Sequence, residues 1–104
     1  HLYSYVNICI QSKKKNAIQY KKRAIDMQEY LDAAAVGTAV ANARKKKGVS
    51  QEVLSGLADI GRTHLSAIER GERKPTLETF YRICCALDVK MSDLMKEIEE
   101  NLHE

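Results

Sequence analysis

The chain has 104 residues and a mass of 11.8 kDa, which is room for one domain of ordinary size. Apolar residues make up 44% and charged residues 30%, the balance of a folded, soluble chain, and no apolar run approaches the ~20 residues a membrane helix needs. The net charge of +3 is unevenly placed: residues 1–74 carry 14 of the 17 Lys and Arg, while residues 75–104 carry 7 of the 14 acids. One side of the molecule is therefore expected to suit a polyanion.

The amino-terminal stretch, Leu2 to Ile10, precedes Lys13, Lys14 and Lys15, the reverse of a secretory signal, so a cytoplasmic location is expected. Residues 1–30 read as an extension distinct from the rest of the chain. Ala17, Tyr20, Ala24, Met27, Leu31 and Ala34 fall on helical 3-4 spacing, which fits a helical arm. The other reading is a start upstream of the native one, since the composition changes at Met27. Lys13 to Lys15 read better as a linker than as a DNA-seeking arm.

Residues 31–104 read as five helices and no strand. The first runs from about Leu31 to Lys47, with a basic last turn and Gly48 able to take a left-handed cap. Ser50 caps a second, Gln51 to Ala58, whose apolar face is Leu54, Leu57 and Ala58. After the break Asp59-Ile60-Gly61 a third helix spans Arg62 to Arg70 and stops at Gly71. Glu72 to Pro75 is a loop with the only proline. Thr76 caps a fourth helix through Leu87, with Leu77, Phe80, Ile83, Cys84 and Leu87 inward, and a fifth covers Met91 to Leu102. The fold class is all-α.

Chemistry is as informative by its absence. There is no phosphate-binding glycine loop, no zinc-protease motif and no nucleophile elbow, so the chain reads as no enzyme. Cys9, Cys84 and Cys85 lack metal or disulfide spacing; no metal site and no cofactor are expected. Cys84 reads as packing and His64 as a solvated helix position. Lys45 to Lys47 fit either a DNA contact or a solvated helix end.

The informative stretch is GVSQEVLSGLADIGRTHLSAIERGERKP, residues 48–75. Two short helices joined by a three-residue break, each with an apolar face, make a helix-turn-helix that pushes the second helix outward. Leu65 and Ile68 must point into the core, so Arg62, Thr63, Ser66, Ala67 and Arg70 face away. That face fits a DNA major groove, where arginine forks onto guanine, threonine bonds a base edge, and small residues permit close approach. Gln51, at the start of the second helix, and Arg70, Arg73 and Lys74 on the other side, are expected at phosphates.

From Val36 to about Leu94 the chain resembles the Cro/phage-repressor-type helix-turn-helix family, also called the xenobiotic-response-element family. The matching residues are VG at 36–37, Arg44, GVSQ at 48–51, LSGLADI at 54–60, THLSAIERGERKPTLETF at 63–80 and ALDV at 86–89. The resemblance implies a five-helix repressor-like fold, base contacts from Arg62, Thr63 and Ala67, a phosphate or base-edge contact from Gln51, and a backbone contact from Arg70. It also implies an ion pair between Arg44 and Glu69. The chain departs from the family at Asp59, where glycine is usual, and at Gly61, where a Ser or Thr cap is usual. Lys90 takes the place of the usual cap of the fifth helix, so Ser92 is expected to start that helix later.

Leu94, Met95, Ile98 and Leu102 form a stripe on the fifth helix that a chain this short cannot fully bury, and they are expected at a two-fold dimer interface. The functional expectation is a sequence-specific double-stranded DNA-binding regulator, a homodimer on a palindromic operator. It is expected to need no membrane and no small-molecule effector, because no sensing domain follows the helix-turn-helix. The rival reading is an antitoxin-type interaction module that binds a toxin and autoregulates its operon.

Overall fold

In the computed structural model, residues 30–102 are described, and five helices follow one another there without a strand. They are α1 (Ala33–Lys46), α2 (Gln51–Ala58), α3 (Arg62–Glu69), α4 (Leu77–Ala86) and α5 (Met91–Asn101). The expectations for the amino-terminal arm, for Lys13 to Lys15 and for Cys9 lie outside the described residues.

The helix starts follow side-chain chemistry. Asp32 caps α1 by accepting from the Ala34 N–H at 3.0 Å. Ser50 accepts from the Val53 N–H at 3.1 Å, and Thr76 from the Thr79 N–H at 3.1 Å, which satisfies first-turn donors of α2 and α4. Gly61 precedes α3 in an extended conformation with no side-chain cap, as its missing side chain requires. α5 begins at Met91, directly after Lys90, and Ser92 does not delay it: the Lys90 carbonyl already accepts from the Leu94 N–H at 3.2 Å. A helix can start on backbone bonds alone when its apolar face is held elsewhere.

The first four helices stop at left-handed residues. Gly48 and Gly71 have φ of 73° and 77°, and Asp59 and Asp88 have φ of 56° and 55°. Beyond Asp59 the Ile60 N–H returns to the Ser55 carbonyl at 3.0 Å, and beyond Asp88 the Val89 N–H returns to the Cys84 carbonyl at 3.0 Å. Both are the paired closing bonds of a helix end, normally built on glycine.

Val36, Ala39 and Val40 of α1, Leu54 and Ala58 of α2, and Leu65 and Ile68 of α3 meet Phe80, Ile83, Cys84, Leu87, Leu94 and Ile98 in one core. α1 packs against α3 and α5; α2 packs against α3 and α4. Burial, and secondarily the neighbouring Cys85, pushes the Cys84 thiol up to about 11, so this side chain acts as a small hydrophobe. Two inward assignments are corrected. Leu57 is 63% exposed and Leu77 is 72% exposed, because each sits on the edge of its helix where no other described element covers it.

α1 and α3 approach at Gly37. A Cβ there would lie 2.3 Å from the Ile68 carbonyl oxygen and 2.7 Å from that of Glu69. Only glycine lets the first helix close on the end of the third. Gly71 has a second reason beyond its φ: a Cβ would meet Ala34 Cα at 2.9 Å.

Candidate nucleic-acid interface

α3 is held from beneath by Leu65 and Ile68, both fully buried, and from its C-terminal end by a polar hub. Arg44 of α1 donates from Nε to Glu69 Oε2 at 2.7 Å and from Nη2 to Oε1 at 2.9 Å. Its Nη1 donates to the Val49 carbonyl at 3.0 Å, so one guanidinium ties α1, the α1–α2 turn and α3. The two side chains are 13% and 6% exposed. Gln51, the first residue of α2, adds a bond from Nε2 to Glu69 Oε1 at 3.0 Å. Burial pushes the Glu69 carboxyl up, but the bonds from Arg44 and Gln51 and the charges of Arg44 and Lys45 outweigh it and hold it below the usual value.

Gln51 thus has a structural partner that the spacing of residues alone does not reveal. Its amide already spends one N–H on Glu69, and of the first-turn backbone donors of α2 the Val53 N–H is taken by the Ser50 hydroxyl.

The outer face of α3 carries Arg62 and Thr63, both exposed, and Ser66, half-buried. Ala67, expected with them, is only 9% exposed. Arg73 and Lys74 are exposed in the loop after α3. Arg70 follows α3 directly and is bonded on three sides: Nε to Glu72 Oε2 at 2.7 Å, Nη2 to Glu72 Oε1 at 3.1 Å, and Nη1 to Ser66 Oγ. Glu72 is a neighbour that residue spacing does not single out. Its signal was the Arg-Gly-Glu order, because left-handed Gly71 folds the chain back and the Glu72 N–H bonds the Ala67 carbonyl at 2.9 Å.

Lys45, Lys46 and Lys47 line a groove with Asp93, Leu94 and Glu97 of α5. Leu94 and Ile98 are spent on the domain's own core, which corrects their assignment to a dimer surface; Met95 is exposed and Leu102 half-buried. Among the described residues no cluster of His, Cys, Asp and Glu could hold a metal, and no helix is long and apolar enough to cross a membrane.

A short helix presented outward by a second one, with α1 clamped behind it, is a helix-turn-helix in three dimensions, and a helix-turn-helix family model matches residues 40–94. The chain belongs to the Cro/C1-type helix-turn-helix family of transcriptional regulators. It is 35% identical over 65 residues to the uncharacterized HTH-type transcriptional regulator y4dJ of Sinorhizobium fredii, covering 62% of this chain and 84% of that protein. It is 42% identical over 50 residues to the control protein C.BamHI of Bacillus amyloliquefaciens, covering 48% of this chain and 62% of that one. Among solved structures, the restriction-modification controller protein C.AhdI of Aeromonas hydrophila superimposes with a TM-score of 0.60 at 32% identity. That match covers 62% of this chain and 98% of the controller.

Proposed function

We propose that this regulator binds double-stranded DNA sequence-specifically, in the cytoplasm, as a homodimer on a palindromic operator. The observation that carries the reading is the outer face of α3, where Arg62 and Thr63 are exposed at the start of a rigidly held helix and Arg73 and Lys74 flank its end. In this reading the start of α3 enters the major groove, Arg62 forks onto a guanine, and Thr63 and the Ser66 hydroxyl reach neighbouring base edges. The α2 N-terminus with Gln51 meets one phosphate strand, and Arg73 and Lys74 meet the other.

A single domain of this size reads only a few base pairs, which is why a second copy belongs to the proposal. Two copies about 34 Å apart would read half-sites one turn apart. Met95 and Leu102 of α5, with the exposed edge of α4, are the surface assigned to that contact. The likeness to control proteins makes a gene-control role beside a restriction-modification system the first genetic context to test.

Selection of preferred sites from random double-stranded DNA, followed by titration across a salt series, tests the reading. The expected result is a palindrome bound about 10³-fold or more over scrambled DNA. Log K should fall with log salt by roughly 0.9 per phosphate contacted. Selection without any enriched motif would overturn it.

A further inference from the structure

Arg70 is held more firmly than a surface cation needs to be. Three of its five N–H donors are taken, two by the carboxylate of Glu72 and one by Ser66. Yet the pair is open to solvent, with side chains 52% and 58% exposed. Exposed pairs of this kind contribute little to folding, so stability gives no account of the arrangement.

Its position does. Glu72 is brought there by backbone, through the left-handed Gly71 and the bond from its own N–H to the Ala67 carbonyl. In sequence it stands between Arg70 and Arg73, two of the cations assigned to DNA. A carboxylate beside such cations weakens the pull of the domain on phosphates in general. In exchange it fixes a long, rotamer-rich side chain before binding. The two remaining N–H donors, one on each terminal nitrogen, are then presented as a fork with little freedom left to lose.

We propose that Glu72 is a positioning residue for sequence readout: with Ser66 it sets the Arg70 guanidinium as a base-reading fork rather than a mobile phosphate clamp. Arg70, placed by resemblance at the DNA backbone, thereby becomes a specificity determinant, its target the O6 and N7 acceptors of a guanine. This rests on the DNA-binding reading above.

The test uses the full chain and its Glu72→Gln and Glu72→Ala variants, titrated against the selected site and a scrambled duplex of equal length. Thermal melting is expected to be unchanged, since both partners are exposed. Affinity for scrambled DNA should rise, and the salt slope should steepen by about 0.9 as Arg70 becomes free to meet a phosphate. The ratio of selected to scrambled affinity should fall about tenfold, the size of one bidentate base contact. Replacing each guanine of the selected site in turn by 7-deazaguanine should find one position that weakens the wild type and leaves Glu72→Ala indifferent. A ratio unchanged in both variants, whether affinity rises equally on both duplexes or stays constant, would overturn the proposal. No selected site for the wild type would instead sink the DNA-binding reading itself.

Discussion

Two arginine–glutamate pairs meet at the end of α3, and their glutamates are three residues apart. Arg44–Glu69 and Arg70–Glu72 are both two-pronged, with the same shortest distance of 2.7 Å. They differ in what surrounds them. The first is enclosed, spans 25 residues of sequence and is completed by Gln51 and the Val49 carbonyl. The second is open to water and spans two residues. Identical chemistry therefore supports two different roles. Enclosure makes the inner pair a structural tie, because either partner left alone would be a stranded charge. Exposure leaves the outer pair nearly irrelevant to folding and available to a ligand.

The largest expected effect breaks the inner side of this contrast. Arg44→Ala strands the Glu69 carboxylate and should cost about 3–5 kcal/mol, enough to loosen or unfold a small domain. An unchanged melting temperature would show that the hub is not a tie at all. Gly37→Ala tests the same junction through packing: its methyl would collide with two backbone carbonyls and force α1 off α3, at about 1–3 kcal/mol or more. Chemical denaturation measures both.

Acid sharpens the comparison. The Glu69 value in the folded state lies below its ordinary one, so its contribution is complete above the usual glutamate range near ~4.3 and is lost as pH falls through the lowered value. Denaturation curves should show stability falling on acidification below about pH 4, with a shallower decline in Glu69→Gln. Equal acid limbs would contradict the assignment. The smallest effect concerns the turn between α2 and α3. Asp59→Gly relieves a left-handed residue and should add up to about 1 kcal/mol without altering DNA affinity.

Most of the helix punctuation was legible in the sequence because it depends on local chemistry. Ser50, Thr76, Gly48 and Gly71 act on neighbours within a few residues. The misplacements were of another kind. Leu57 and Leu77 lie on apolar faces by periodicity, but periodicity does not say where a neighbouring helix ends and its cover stops. Leu94 and Ile98 were offered to a second copy, yet α1 and α4 reach them first. The close approach at Gly37 and the spending of Gln51 on Glu69 are tertiary facts, invisible until α1, α2 and α3 meet. Glu72 is the intermediate case: the partner is two residues away, and only the left-handed turn at Gly71 turns it toward Arg70.

The central claim, that the outer face of α3 reads DNA sequence, is tested most directly by one comparison. Wild type and Arg62→Ala would be titrated against the selected site and against scrambled DNA. The account predicts a loss of about 1–3 kcal/mol on the selected site and a much smaller loss on scrambled DNA. Equal loss on both would contradict it, showing that Arg62 touches only phosphate.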